Sequence, residues 1–269
     1  MAVRHMVALG SSFAAGAGIS PIIDRHANRS ASNYPHLVAG AIGAHLTDVT
    51  ISGATTETIL RKPQRVGLRR LAPQMESFPP HADVDLVTVT AGGNDLRYLG
   101  TLISVAYSSW LEARPATRMW GRRLRAAVVA SPPTQQDVET AAEGLASIVE
   151  AIHERAPSTR VLLVNYLTVI GPDTAPSRAA PFTYSELNVF RRIAGQLREA
   201  FAMAEGSSAA ELVDVASMSE THGLGSADPW VQGFAPRSTR QAALFHPTLE
   251  GMRAVAGAVV DHIGSVNRR

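Results

Sequence analysis

Short apolar runs alternate with longer amphipathic stretches along most of this chain. The runs are three to six residues long and rich in Val, Ile, Leu and Thr, which is typical of buried parallel strands. Several of them end at glycine, serine or asparagine, residues that favour turns. The predicted strands are residues 6–9, 49–51, 85–90, 161–165 and 211–215.

The stretches between these strands show helical spacing of their apolar residues. Residues 134–137 (Thr-Gln-Gln-Asp) and 183–186 (Thr-Tyr-Ser-Glu) have the pattern of a capping box at a helix start, with Asp in place of Glu or Gln in the first. The basic, proline-containing segment 61–80 is predicted as a short helix between loops. The other predicted helices are residues 34–42, 134–155, 183–204 and about 248–263.

Alternation of strands and helices predicts an α/β fold with one parallel sheet and helices on both of its faces. No linker or internal repeat divides the chain, so we expect a single domain over residues 1–269. Residues 97–133 are too long for a simple crossover and predict a helical insertion. Two interpretations of this insertion stay open: a lid or acyl-pocket wall, and a surface helix pair with a solvated basic face.

Composition excludes several classes of protein. Apolar residues make up 45% of the 269 residues and charged residues 18%, as in an ordinary globular domain. No apolar run is long enough for a transmembrane helix. The formal net charge is only +2 and no basic stripe interleaves with aromatic residues, so nucleic acid is not an expected partner. The absence of cysteine excludes disulfides, thiolate metal sites and a cysteine nucleophile.

The N-terminal residues bear on the cellular location. They lack the long apolar region and the small-residue cleavage site of a signal peptide. The candidate nucleophile described below also lies only twelve residues from the start of the sequence. We therefore expect a cytoplasmic protein.

Three of the predicted strands end in turns of small residues. These turns are residues 10–12 (Gly-Ser-Ser), 52–54 (Ser-Gly-Ala) and 92–94 (Gly-Gly-Asn). In an open α/β sheet the carboxyl ends of the strands lie at one edge, and ligands bind there. Glycine at such a turn lets the backbone approach a ligand closely. The sequence therefore predicts a binding site formed by these three turns.

The residue types at these turns suit nucleophilic catalysis. Ser12 supplies a hydroxyl near a helix start, where backbone N–H groups have no internal partner. Asn94 supplies an amide donor, and His246, which precedes Pro247 at a helix start, is a candidate general base. On its own stretch, a helix-capping role of Ser11 and Ser12 is the better explanation, and only the other blocks favour a nucleophile.

The same positions carry a resemblance to the SGNH/GDSL family of esterases and lipases. That family has four blocks centred on Ser, Gly, Asn and His, which here match Ser12, Gly53, Asn94 and His246 in the same order. The resemblance spans residues 10–251. It implies a flavodoxin-like three-layer α/β/α sandwich with a central five-stranded parallel sheet. It also implies hydrolysis of small-molecule or lipid esters without a metal or other cofactor.

The resemblance further implies a role for each matched residue. Ser12 attacks the ester carbonyl after His246 removes its proton, which gives an acyl-enzyme. The N–H groups of Ser12 and Gly53 and the side chain of Asn94 form the oxyanion hole. Two other functions use the same fold: an acyltransferase or carbohydrate deacetylase with the same acyl-enzyme, and a non-catalytic ligand-binding relative. The motifs of α/β-hydrolases, dinucleotide-binding proteins, P-loop proteins and zinc proteases are absent from the sequence.

The sequence departs from the family pattern at two positions. Ser11 stands where the family usually has the Asp of Gly-Asp-Ser, and we expect altered packing of the turn with no loss of chemistry. Ala243 stands where many members have an Asp three residues before the histidine, so the usual triad carboxylate is missing. We expect a backbone carbonyl, that of Trp230 or a neighbour, to orient His246. The alternatives are the carboxylates of Asp228 and Asp214.

Overall fold

The computed structural model describes residues 3–78, 83–129, 132–236 and 243–266. Its strands are β1 (His5–Gly10), β2 (Ile22–Asp24), β3 (Arg29–Ser30), β4 (His45–Asp48), β5 (Gln64–Val66), β6 (Arg69–Leu71), β7 (Leu86–Thr90), β8 (Arg160–Val164) and β9 (Glu211–Val213). Its α-helices are α1 (Ser12–Ala15), α2 (Tyr34–Ile42), α3 (Thr56–Leu60), α4 (Tyr98–Glu112), α5 (Arg118–Val129), α6 (Gln135–Arg155), α7 (Tyr184–Ser207), α8 (Val215–Met218) and α9 (Leu249–Val266).

Within the described residues, the central sheet has five parallel strands in the order β4-β1-β7-β8-β9. Strand β1 lies between β4 and β7, with Gly10 paired to Thr90 at its carboxyl end. Strands β1, β7 and β8 are almost entirely buried, which explains their continuous apolar sequences. This sheet and its flanking helices confirm the predicted α/β fold. The single-domain organisation stays a prediction.

The predicted helix starts are confirmed by their caps. Thr134 and Asp137 form a reciprocal capping box at the start of α6, and Thr183 and Glu186 form one at the start of α7. In each box the side chains satisfy backbone N–H groups that the helix itself leaves free. Helix α2 begins after Asn33, whose side chain accepts from the N–H of His36.

The second strand differs from its prediction. Residues 49–51 were expected to form it, whereas the observed strand β4 is His45–Asp48. The carboxylate of Asp48 accepts from both the N–H and the hydroxyl of Thr50, at 3.0 and 2.7 Å, and thereby bends the chain after β4. The N–H groups of Val49 and Ile51 still donate to β1, so this apolar segment continues along the sheet edge outside the regular ladder.

The segment predicted as a short helix within residues 61–80 is instead a hairpin of β5 and β6 followed by a 3₁₀ turn, Gln74–Ser77. Two residues, Gly67 and Leu68, connect the strands, and Gly67 has a positive φ of 60°. A left-handed glycine in a two-residue loop is typical of tight hairpins. The helical prediction for this segment is therefore wrong, because glycine in the middle favoured the turn.

The predicted helical insertion is present as α4 and α5. Helix α5 lies close against α4 at Gly121, where a Cβ atom would come within 2.7 Å of the backbone nitrogen of Glu112. The Arg125 guanidinium contacts Glu112 and the buried Glu186 at the start of α7. The opposite face of α5 is open, with Trp120 67% exposed. No helix in the described part of the chain has the length and apolar character needed to cross a membrane.

Candidate active site

Ser12 lies at the end of the buried strand β1, as the first residue of α1. The N–H of Ser11 donates to the carbonyl of Thr90 on the neighbouring strand, at 2.9 Å. Gly10 allows this close approach, because a Cβ atom on it would lie 2.6 Å from the same carbonyl oxygen. Among the described residues, the N–H of Ser12 donates to no acceptor, which leaves it free for a ligand.

The side chain of Gln74 forms two hydrogen bonds with Gly10, the residue at which the turn to Ser12 starts. Its side-chain oxygen accepts from the N–H of Gly10 at 2.8 Å, and its amide donates to the carbonyl of Gly10 at 2.9 Å. Gln74 is 2% exposed, so both hydrogen bonds are shielded from water. The 3₁₀ turn that follows the β5–β6 hairpin therefore fixes the backbone directly before the candidate nucleophile.

Gly53 and Asn94 lie at two neighbouring turns. The amide of Asn94 donates one hydrogen bond, at 2.8 Å, to the carbonyl of Ala54, which directly follows Gly53. This leaves the second N–H of the same amide available. The N–H of Gly53 has no acceptor among the described residues, and Gly53 has a φ of +83°. Hence Ser12, Gly53 and Asn94 each offer one uncommitted N–H group.

Asp95 joins the same two turns. Its carboxylate accepts from the hydroxyl of Thr56 at 2.6 Å and from the N–H of Thr56 at 3.1 Å. Burial raises the pKa of Asp95, while the hydrogen bonds from Thr56 oppose that shift. This contact ties the turn that carries Asn94 to the start of α3, three residues after Gly53.

The hydroxyl of Tyr166 connects the Ser12 turn with the Asn94 turn. It accepts from the N–H of Gly93 at 3.2 Å and lies 2.8 Å from the Ser11 hydroxyl. Burial raises the pKa of Tyr166 far above its usual range, so the phenol stays protonated and can donate to Ser11. Ser11, which stands where the family usually has the Asp of Gly-Asp-Ser, is thus hydrogen-bonded to a tyrosine hydroxyl.

His246 lies in a tight turn before α9. The N–H of His246 donates to the carbonyl of Ala243 at 3.0 Å, and Phe245 has a positive φ of 60°. That φ is what a type II turn requires at its third position. The turn brings the carbonyl of Leu244 to 2.9 Å from Nδ1 of His246. This contact favours the tautomer with hydrogen on Nδ1 and a free lone pair on Nε2.

The imidazole of His246 is buried and has one uncommitted nitrogen. Nε2 has no hydrogen-bond partner in the described part of the structure. Burial lowers the pKa of His246 to about 4, and the hydrogen bond to Leu244 opposes this shift. The ring of Phe13, which follows Ser12, lies 5.6 Å from the imidazole between centroids. A neutral ring with a free lone pair therefore adjoins the helix that begins with Ser12.

A backbone carbonyl contacts His246 as expected, but the expectation that this carbonyl belongs to Trp230 or its neighbour is wrong. That carbonyl accepts from the N–H of Thr248 at 2.8 Å, because the bridge between Val231 and Pro247 places Trp230 opposite Thr248. The acceptor for Nδ1 is instead the carbonyl of Leu244, two residues before the histidine.

The two carboxylates considered as alternatives are engaged elsewhere. Asp228 accepts from the indole N–H of Trp230 at 3.2 Å, and its carboxylate also lies 3.5 Å from His222. Asp214 caps α8 and accepts from the side chain of Asn165 at 2.7 Å. Neither group is within hydrogen-bond distance of His246. In the described residues no cluster of three or more His, Cys, Asp or Glu could hold a metal ion.

Sequence reasoning missed the residues that support the site. Gln74, Tyr166 and Asp95 act through long-range hydrogen bonds, and no local pattern reveals which turn each of them reaches. The role of Leu244 was missed because its backbone carbonyl contacts His246, and any residue type supplies such a carbonyl. Only Asp95 gave a signal, as a polar residue that directly follows Asn94.

The chain is similar to known proteins both in sequence and in fold. The chain is 29% identical to Lipase 2 of Streptomyces coelicolor over 267 residues, which cover 96% of this chain and 85% of that protein. Its fold is similar to the crystal structure of phospholipase A1 from Streptomyces albidoflavus, with a TM-score of 0.73 at 21% identity, over 98% of this chain and 99% of the other. An extracellular lipase of Streptomyces rimosus gives a TM-score of 0.68 at 21% identity, over 97% and 99% of the two chains.

The sequence profile of the GDSL-like lipase/acylhydrolase family matches residues 8–254. The matched region begins in β1, before Ser12, and ends in α9, after His246. With this match over nearly the whole chain, the resemblance seen in the sequence is confirmed, and the protein belongs to the GDSL-like lipase/acylhydrolase family of ester hydrolases.

Proposed function

We propose that this chain hydrolyses carboxylic esters through an acyl-enzyme formed on Ser12. Family membership makes ester hydrolysis its activity; the assignment of each step to a residue is the proposal. The observation that carries it is the state of His246, which is neutral at pH 7 and has Nδ1 bound to a carbonyl and Nε2 free. A general base needs that arrangement.

In the first step, Ser12 attacks the ester carbonyl while His246 Nε2 accepts the proton of the Ser12 hydroxyl. The imidazolium formed is stabilised by the Leu244 carbonyl at Nδ1, which has the role that a carboxylate has in a serine triad. His246 then donates its proton to the leaving alcohol. In the second step, His246 activates a water that hydrolyses the acyl-enzyme.

The negative charge on the carbonyl oxygen is stabilised by three donors. These are the uncommitted N–H groups of Ser12 and Gly53 and the second amide N–H of Asn94. They are held in place before substrate arrives, so no reorganisation is needed as charge develops. The contacts of Gln74, Asp95 and Tyr166 described above supply that preorganisation.

The substrate class we propose is a small-molecule or lipid ester. Support comes from the names of the relatives, a lipase from Streptomyces coelicolor and a phospholipase A1 from Streptomyces albidoflavus. Products formed in the presence of added alcohols and of acetylated sugars separate hydrolysis from acyl transfer and from sugar deacetylation.

The proposal is tested by p-nitrophenyl butyrate hydrolysis with purified variants. Ser12→Ala and His246→Ala are expected to lower kcat by about 10³-fold or more. Asn94→Ala is expected to lower it by about 10²- to 10³-fold, as when an oxyanion donor is lost. Ser207→Ala and His45→Ala, which lie away from the three turns, serve as matched controls. Wild-type turnover in Ser12→Ala would contradict the proposal.

A further inference from the structure

A cavity of about 1020 Å³ lies beside the insertion, between the end of α4 and the loops around residues 178 and 235. Its lining includes the aromatic rings of Trp110 and Phe234 and the cations Arg114 and Arg178. No carboxylate is among the described residues that line it, and neither Ser12 nor Asn94 belongs to them. The described lining therefore combines apolar walls with positive charge and does not include these oxyanion donors.

The two cations of this cavity have no carboxylate partner among the described residues. The guanidinium of Arg114 stacks on Trp110, 3.6 Å from the ring centroid, and donates to the carbonyl of Trp110. Arg178 is exposed and has neither an ion pair nor a hydrogen bond with the described residues. By contrast, Arg160 pairs with Glu211 through two hydrogen bonds. Uncompensated arginines in a concave, partly apolar site favour an anion.

The cavity is linked to the turn that carries His246. The backbone carbonyl of Gln232 accepts from the N–H of Phe245 at 3.0 Å, and the backbone N–H of Gln232 donates to the carbonyl of His246 at 2.8 Å. Two residues further, Phe234 lines the cavity and stacks on Phe245, with 6.3 Å between ring centroids and 12° between planes. This stacked pair thus connects the cavity wall directly to Phe245, the residue adjacent to His246.

We propose that this cavity binds an anionic group of the substrate, a carboxylate or a phosphate carried on an apolar chain. The guanidinium groups of Arg114 and Arg178 supply forked donors for such a group, and Trp110 and Phe234 contact the chain. A volume of about 1020 Å³ is large enough for a ligand of that size. The inference rests on the proposed ester hydrolysis, since it assigns the substrate that the Ser12 site prefers.

Binding is measured by calorimetry with Ser12→Ala protein, which cannot turn substrate over. Octyl phosphate, below its micellar concentration, is compared with octanol, which has the same chain without the charge. We expect octyl phosphate to bind about tenfold more tightly or better, as for a charge-assisted contact. Adding Arg178→Gln should remove most of this difference, whereas adding Arg4→Gln, an exposed arginine at the amino end of β1, should leave it unchanged.

Kinetics supply the second measurement. Mono-p-nitrophenyl adipate, with a terminal carboxylate, is compared with p-nitrophenyl hexanoate, which has the same chain length and no charge. The ratio of kcat/KM for the two esters should fall about tenfold in Arg178→Gln. Arg178→Lys, which keeps the charge, should retain more of the ratio than Arg178→Gln does. Arg4→Gln should match the wild type.

Failure of the inference can be told apart from failure of the proposed function. Equal binding of octyl phosphate and octanol, or equal effects of Arg178→Gln and Arg4→Gln, overturns the cavity assignment even if Ser12-dependent hydrolysis is intact. Arg178-dependent binding of octyl phosphate supports the assignment even if no ester is hydrolysed. Octanoate as a third ligand distinguishes the two anions: tighter binding than octyl phosphate supports a carboxylate-bearing ester, and weaker binding supports a phosphate-bearing one.

Discussion

The backbone directly before His246 adopts a conformation that is unfavourable for a residue with a side chain. Phe245 has a φ of +60°, a region that non-glycine residues seldom occupy. It is retained because the ring is fully buried and packs on Phe182 and Phe234. The packing of one aromatic ring thereby sets the turn that points the Leu244 carbonyl at Nδ1 of His246.

The proposed role of His246 as the general base predicts the pH dependence of catalysis. The base form is neutral imidazole, and burial lowers the pKa of His246 to about 4. The acid limb of kcat/KM for a neutral ester should therefore lie near pH 4 and not near the ordinary histidine value of about 6.5. The measurement is a pH–rate profile from pH 3.5 to 8. An acid limb between pH 6 and 7 would contradict the buried arrangement in the free enzyme.

The Tyr166 hydroxyl should affect turnover more than substrate binding. Tyr166→Phe removes the acceptor for the Gly93 N–H and the partner of Ser11, and leaves the ring in place. The Ser12 and Asn94 turns then lose their common contact, so we expect kcat to fall about tenfold with KM nearly unchanged. In Ser11→Ala the partner hydroxyl is already absent, and the added effect of Tyr166→Phe should be smaller. Additive effects of the two substitutions would count against a shared positioning role.

The candidate catalytic residues could be predicted from the sequence, but their orientation could not. Ser12, Gly53, Asn94 and His246 each sit in a short local pattern at a strand end or helix start. The carbonyl that contacts His246 depends on the φ of Phe245, which packing decides. The expectation of Trp230 failed for this reason, since its carbonyl is paired in a short bridge that no local pattern indicates.

At the scale of elements, an ion pair connects helix α5 of the insertion to the start of α7. Arg125 of α5 donates from Nε to the buried carboxylate of Glu186 at 2.6 Å, and Glu186 also completes the capping box of α7. Hydrogen bonds from Arg125 and Thr183 keep the pKa of Glu186 lowered although burial alone would raise it. The position of α5 and the start of α7 are therefore coupled.

Removal of this cation should destabilise the protein measurably. Arg125→Met leaves the carboxylate of Glu186 buried without its charged partner, so the free energy of unfolding should fall by about 1–3 kcal/mol at pH 7. Urea unfolding and limited proteolysis between α4 and α6 are the measurements. Arg122→Met, an exposed arginine of the same helix, is the control and should change little. Equal effects of the two substitutions would argue against a stabilising role of this ion pair.

The elements themselves were predictable where helical caps and buried strands are local in sequence. The capping boxes at Thr134 and Thr183 gave two helix starts correctly. The errors fall on short segments in which a side chain or a glycine decides between similar alternatives. The hydrogen bond from Thr50 to Asp48 ends the second strand before residues 49–51. Gly67 forms the turn of a hairpin in a segment predicted to be helical.

At the scale of the whole molecule, the order of the strands brings the turns of the candidate site together. Strand β1 lies between β4 and β7, so the turns after these three strands meet at one sheet edge although they lie far apart in the chain. The segment with His246 reaches this edge from the last described loop, where Ala243 packs on Gly18. Loss of global folding should therefore abolish the site as a unit.

Burial of His246 also makes stability depend on pH. Its pKa is about 4 in the folded protein and about 6.5 when unfolded, so the unfolded chain binds more protons between these values. Stability therefore rises with pH in this window and is lost on acidification. Between pH 7 and pH 4.5 the free energy of unfolding should fall by about 2 kcal/mol more in the wild type than in His246→Gln. Equal losses in urea unfolding would show that the imidazole titrates normally.

The central claim, that Ser12 is the nucleophile and His246 its base, is tested most directly by covalent labelling. A fluorophosphonate probe is incubated with the native protein, and the modified residue is located by peptide mass mapping. The account predicts rapid labelling at Ser12 alone, no labelling of Ser12→Ala, and labelling slowed by about 10³-fold or more in folded His246→Ala. Labelling at another residue, or an unchanged rate in His246→Ala, would contradict it.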